Sequence, residues 1–302
     1  MACNPSDLLA LNGFSNCLTS KIDGWNSTAS DCCTWTGVTC DNSTYLSKRV
    51  IGLELGNKRL TGMICESLAG LDQLRILNLS HNLLHGTLPA KVFGLQNLEV
   101  LDLSNNDFVD SIPPIGKMSS IRYVDLSKNY FKGSINATLC ETHPIYKFST
   151  WQVTISLVKF QEVLGNVLLQ HLFLNSNSLS GNFPESLLQL QNLHVLHLED
   201  NIFSGQLNAE LGNFNSLFYL DLSNNSFTGG IPMSLTGLQT LTDRNISTDG
   251  NAPCVPLYKT RVPSGSLQYN KIGSLPPTLD LSCNKLTGPI WPSFGNLKGF
   301  MF

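Results

Sequence analysis

LRILNLSHNLLHGTLP, residues 74–89, decides the fold. Leu74, Leu77 and Leu79 set the alternation of a short strand whose leucines point to one side. Asn82 stands where the chain leaves that strand. Its side-chain amide can bond the backbone of neighbouring coils, whose N–H and C=O groups would otherwise be buried unpaired. Gly86 permits a bend, and Pro89 suits an extended segment that does not donate to a ladder. The asparagine recurs at Asn106, Asn129, Asn177, Asn201, Asn225 and Asn284, at steps of 24, 23, 48, 24, 24 and 59 residues. Most of the chain is therefore one unit copied and stacked. The expected fold is an α/β right-handed solenoid with a parallel concave sheet and short 3-10 or helical convex segments. Strands about 4.8 Å apart in nine or ten coils would span on the order of 45 Å. Stacks of this kind bind along one face and seldom carry out chemistry.

Outward from the repeat, the chain divides into four parts. Residues 1–48 do not follow the unit and read as an N-terminal disulfide cap: Ser6 to Leu18 has helical apolar spacing behind a Ser/Asp cap, and the run Cys32-Cys33-Thr34-Trp35-Thr36-Gly37-Val38-Thr39-Cys40 follows. Residues 49–240 are repeats, with a degenerate repeat expected at 145–168, where Val153 replaces the asparagine and Leu157 the glycine. Residues 241–275 form a polar, Pro/Gly-rich insert too long for a simple connection, which points to functional use. Residues 276–302 are a last, truncated repeat.

Only 14% of the 302 residues are charged and the net charge is −3, so no basic stripe suggests nucleic acid or an anionic membrane surface. No apolar run is long enough for a transmembrane helix. Nine cysteines without CxxC pairing, together with sequons at Asn26, Asn42, Asn78, Asn136, Asn224 and Asn245, predict an oxidised extracellular glycoprotein. The opening Met-Ala-Cys-Asn reads as a chain without a signal peptide. The pairing of Cys17, Cys65, Cys140, Cys254 and Cys283 is left open.

The strand face is the default binding surface. It carries acids at 99, 102, 125, 199, 200, 221 and 280 against Arg75, Arg122 and Lys128, with His171, His194 and His197 clustered on adjacent strands. All of these, with Tyr123, Phe173 and Tyr219, are expected to be exposed. A zinc reading of the three histidines is disfavoured, since no supporting pattern surrounds them. The repeated aspartates of LDLS read as a structural ladder rather than as paired catalytic carboxylates. With no GxSxG, HExxH or phosphate-cradling loop, no catalytic, metal or cofactor site is expected.

The CCxWxGVxC element followed by LxxLxxLxLSxNxLxGxIP units resembles the plant extracellular leucine-rich-repeat family. Ile22-Asp23-Gly24-Trp25, Leu71-Asp72-Gln73-Leu74, Leu217 to Asn225, and Leu267-Gln268-Tyr269-Asn270 are similar to stretches of the phytosulfokine receptor ectodomains. That resemblance implies cap bridges Cys3–Cys32 and Cys33–Cys40, and identifies the insert with the family's island domain. It implies that a sulfated peptide hormone adds as a strand along Leu257, Tyr258, Lys259, Thr260 and Arg261, with a co-receptor leucine-rich-repeat kinase as further partner. The family's kinase domain and many of its repeats are absent from this chain, with one junction near Gly212-Asn213-Phe214, so hormone binding is expected to be impaired. The alternatives are a receptor-like or polygalacturonase-inhibitor-like defence protein, or an inactive gene-model fragment.

Overall fold

A computed structural model describes residues 3–25, 31–41, 47–115, 118–135, 168–241, 258–262, 265–269 and 276–297. Each coil carries a concave strand, then a second strand on the flank, then in most coils a single 3-10 turn. Strand β1 (Val38–Cys40) belongs to the cap. The next coils hold β2 (Val50–Glu54) and β3 (Thr61–Gly62), β4 (Ile76–Asn78) and β5 (Leu83–Gly86), β6 (Val100–Asp102) and β7 (Asp107–Asp110), then β8 (Tyr123–Asp125) and β9 (Tyr130–Ser134). Beyond residue 167 come β10 (His171–Phe173) and β11 (Ser178–Gly181), β12 (Val195–His197) and β13 (Ile202–Gln206), then β14 (Tyr219–Asp221) and β15 (Ser226–Gly230). A hairpin of β16 (Tyr258–Val262) and β17 (Gly265–Tyr269) precedes the last coil, β18 (Thr278–Asp280) and β19 (Lys285–Thr287).

The concave sheet runs β1-β2-β4-β6-β8-β10-β12-β14-β18, parallel except for β1, and the flank sheet runs β3-β5-β7-β9-β11-β13-β15-β19. Eight parallel rungs are thus described, against the nine or ten coils expected. The difference lies at 136–167, which holds all but the last residue of the expected degenerate repeat. Those residues lie outside the described part, but β8 pairs directly with β10, and β9 with β11. Among the described residues, the sheet passes from β8 to β10 with no rung between them. The island is bypassed in the same way, with β14 on β18.

The asparagine ladder shows why stacking survives these interruptions. Asn82 Nδ2 donates to Leu55 O of the preceding coil at 2.9 Å, and its Oδ1 accepts from Leu60 N–H at 2.9 Å. Asn177 repeats the geometry onto Leu126 O and Phe131 N at 3.1 and 3.0 Å, reaching the Asn129 coil with nothing between. Asn284 does so onto Leu222 O and Phe227 N. The first coil has Lys58 in this column, a side chain without the amide's acceptor oxygen, and its neighbour on that side is the antiparallel cap strand. The residue before each asparagine takes a left-handed φ, between 48° at Asn224 and 56° at Asp200. The bend column is glycine with positive φ, except Asp110 at φ 67°; Asp is among the few side chains that tolerate this region.

Inside, the coils bury Leu74, Leu77, Leu79 and their equivalents in one continuous core. Phe108 stacks on Phe131 at 6.3 Å, and Phe203 on Phe227 at 6.2 Å, forming an aromatic spine behind the flank sheet. The cap closes the first coil. Its helix α1 spans Pro5–Cys17 and is capped by Asn4, whose Oδ1 accepts from Ser6 N–H at 2.9 Å; sequence spacing had put the cap at Ser6/Asp7. Asp7 is instead buried, accepting from Val50 N–H at 2.7 Å and from Arg49 Nη2 at 3.0 Å. Trp25 packs on Trp35 at 4.9 Å. Bridges Cys3–Cys32 and Cys33–Cys40 are formed, and a third, Cys17–Cys65, ties the end of α1 to the first coil's convex turn.

Candidate binding surface

Of the expected peptide-contacting residues, Tyr258, Lys259, Thr260 and Arg261 lie on β16, and Leu257 lies outside the described residues. β16 pairs antiparallel with β17 from Tyr258↔Tyr269 to Val262↔Gly265. The hairpin is a two-stranded sheet of its own. A strand in such a ribbon uses one edge for its partner, and its other edge is the one a further strand can join.

The concave face differs from the sequence expectation. Asp102, Tyr123, His171, Phe173 and Tyr219 are buried, not exposed. In-register parallel strands place every large side chain against its counterpart one rung away. Tyr123 therefore packs on Phe173 at 5.4 Å, Phe173 stacks on His197 at 4.8 Å, and His197 stacks on Tyr219 at 4.6 Å. Val100, Tyr123, Phe173, Val195, Phe218 and Tyr219 form a second apolar cluster, separate from the core. The three histidines do not converge on one point. His171 and His194 rings lie 5.8 Å apart, while His197 turns to Glu199, its Nδ1 2.9 Å from Oε1.

The LDLS aspartates are structural, as expected. Asp125 Oδ1 accepts from Ser127 N–H and Oγ–H at 2.9 and 2.6 Å, and Asp102 does the same with Ser104. Asn78, at the same position one coil before Asp102, makes the identical pair of bonds to Ser80. Burial nevertheless disturbs these carboxyls. Asp125 is pushed up to about 7 by burial and by Asp102, and Asp221 to about 6 by burial and by Glu199. Burial pulls His171 down to about 3 and lowers His194. Burial also opposes charge on His197, yet Glu199 overcomes it and leaves this imidazole raised. His171 Nε2 is buried without a hydrogen-bond partner, consistent with a neutral ring.

Because the folded pKa of Asp125 lies above the carboxyl's ordinary 3.8, its contribution is present below pH 4 and is lost as pH rises through about 7. Asp125→Asn is expected to reduce the fall in stability between pH 5 and pH 8 by on the order of 2 kcal/mol. Asn78 shows that an amide fits this position. Urea midpoints at the two pH values check it; an unchanged difference between them rejects the assignment.

The remaining predicted positions are less concentrated. Asn224 is exposed and donates to Asp200 Oδ1 at 2.7 Å; Asn78 is half-buried. Asn26, Asn42, Asn136 and Asn245 lie outside the described residues, as do Cys140 and Cys254. Cys283 is a free, exposed thiol. Among the described residues, no helix is long and apolar enough to cross a membrane.

Comparison with known proteins agrees with this architecture. A leucine-rich-repeat N-terminal domain family matches residues 4–41, and leucine-rich-repeat families match 48–108, 168–190, 216–238 and 277–297. Phytosulfokine receptor 1 of Arabidopsis thaliana is 39% identical over 221 residues, 64% of this chain but 19% of the receptor. Receptor-like protein 36 of the same plant is 34% identical over 219 residues, 56% of this chain and 29% of that one. The chain therefore spans about a fifth to under a third of these relatives' lengths. Among solved structures, the PEPR1–AtPEP1 complex superposes with a TM-score of 0.71 at 26% identity, covering 98% of this chain and 37% of that one. The Arabidopsis receptor kinase HAESA, solved with the peptide hormone IDA and the co-receptor SERK1, gives 0.60 at 27% identity over 78% of this chain and 40% of that one. The matched segments are the cap and the repeats themselves, together over half of the chain, and the chain belongs to the leucine-rich-repeat proteins.

Proposed function

We propose that the chain is an extracellular peptide-binding module of a receptor ectodomain. In this reading an extended peptide hormone of the phytosulfokine type docks by strand addition along Tyr258–Arg261, and a co-receptor leucine-rich-repeat kinase is a further partner. The observation that carries this reading is the β16–β17 hairpin, an independent two-stranded ribbon inserted between two coils that otherwise stack directly on each other. Support comes from relatives and neighbours named for peptide hormones. Strand addition takes affinity from main-chain hydrogen bonds, and specificity from pockets for alternate side chains.

The concave face argues for weak recognition of a sulfate. Asp102, Asp125, Glu199 and Asp221 line it where an anion would need cationic or N–H donors. Charge-assisted hydrogen bonds contribute roughly 1.5–3 kcal/mol each, so their absence weakens a sulfated ligand by one to two orders of magnitude per bond. Calorimetry of the oxidised protein with a synthetic sulfated peptide hormone and its unsulfated form should give weak binding of similar strength for both. Submicromolar affinity that depends on the sulfate would overturn the impaired reading.

A further inference from the structure

One cluster on the concave face brings an imidazole and two carboxylates together across two neighbouring strands. His197 on β12 and Asp221 on β14 are register partners on adjacent parallel strands, and Glu199 follows His197 by two residues. Nδ1 of His197 lies 2.9 and 3.0 Å from the two carboxylate oxygens of Glu199. One ligand atom from each of the three residues falls within 4.8 Å of the others.

The groups are held in place. Phe173 and Tyr219 sandwich the imidazole at 4.8 and 4.6 Å, with interplanar angles of 22° and 24°, which fixes the ring plane and the direction of Nδ1. Ser223 N–H donates to Asp221 Oδ1 at 3.0 Å and orients that carboxylate. Fixing ligands through such outer contacts is how metal sites are tuned. The side chains of His197 and Glu199 are 14% and 16% exposed, enough for an ion to reach them from the concave side.

Two carboxylates and one neutral imidazole carry a charge of −2, which a divalent cation neutralises. Ligand atoms around tetrahedral zinc sit about 3.4 Å apart, from metal–ligand distances of about 2.1 Å. The His197–Glu199 pair, at 2.9–3.0 Å, has to open by about 0.4 Å, and ligand atoms as far apart as 4.8 Å have to close by up to about 1.4 Å, shifts that small carboxylate rotations supply. One nitrogen and two oxygens, with room for water, suit zinc and its first-row neighbours. We infer that His197, Glu199 and Asp221 bind a divalent transition-metal ion that cross-links adjacent coils. On binding, the metal takes the place of the proton shared between His197 Nδ1 and Glu199. This is independent of whether the hairpin takes a peptide.

The test is zinc titration of the chelator-stripped, oxidised protein carrying Cys283→Ser, which removes the exposed thiol, followed by calorimetry and X-ray absorption. The expected result is one zinc per chain in a shell of nitrogen and oxygen only. His197→Phe, which keeps the aromatic sandwich, should abolish uptake, and Glu199→Gln and Asp221→Asn should each weaken it at least tenfold. His194→Gln should leave it unchanged. No uptake by the parent overturns the assignment. So does equal uptake by Glu199→Gln and Asp221→Asn, which marks an adventitious ion, or loss on His194→Gln with retention in the other variants.

Discussion

Asn129→Ala is expected to destabilise the solenoid by about 3 kcal/mol. The Asn129 side chain is buried, and it holds Phe108 N–H and the carbonyls of Leu103, Leu126 and Ser127, each at 3.1 Å. Alanine leaves a buried N–H and three carbonyls without that partner, and one unsatisfied buried group alone costs roughly 1–3 kcal/mol. The loss also reaches the neighbour, because each coil contacts only the coils beside it and stability is close to a sum of neighbour terms. The same substitution at Asn284, whose side chain is partly exposed at the last coil, should cost less than half as much. Equilibrium urea unfolding of both variants checks this; equal losses would show that the column does not act through burial.

Asp7→Ala is expected to be the most damaging single change in the cap, at about 3 kcal/mol, since the buried Val50 N–H loses its partner and the half-buried Arg49 loses one of its two carboxylates. Asp7 is fully buried and takes hydrogen bonds from Arg49 and from Val50 N–H, so it joins α1 to the first concave strand. Arg49 keeps its second contact, with Asp72. The three cap disulfides prevent complete release, so the loss should appear as local loosening. Trp25 and Trp35 report on the cap directly. Their fluorescence should change at lower urea than the far-ultraviolet signal of the repeats, whereas in the parent the two transitions should coincide. Coincident transitions in the variant would contradict the latch.

The repeat was legible in the sequence because every role in it is chemically distinct. Inward leucines, a turn asparagine and a bending glycine each have few substitutes. What misled was length. The interval from Asn129 to Asn177 is 48 residues, which fits two coils as well as one coil and a loop. The letters within it depart from the unit, since Val153 has no amide to bond a neighbouring coil, and 145–168 reads as a degenerate repeat. Among the described residues, Asn177 bonds directly to the Asn129 coil.

The concave face was the less legible half. Alternation along one strand says that Tyr123, Phe173 and Tyr219 point away from the core. It does not say what stands one rung away. Burial there comes from side-chain columns across strands, whose register is set by stacking and not by any single segment. The same holds for His197 and Glu199 with Asp221, one repeat apart in sequence but neighbours across β12 and β14. Cys17–Cys65 spans 48 residues with no local motif and was fixed only by the docking of α1 on the first coil. The resemblance put an island strand along 256–261; β16 spans Tyr258–Val262, and its antiparallel partner β17 was not anticipated.

The most direct test of the peptide-binding account is amide hydrogen exchange on the oxidised protein, with and without a saturating synthetic sulfated peptide hormone. Strand addition predicts new protection confined to the amides of 257–262, with β17 and the concave strands unchanged. Protection confined to the concave strands β8 to β14, with none in 257–262, would contradict it.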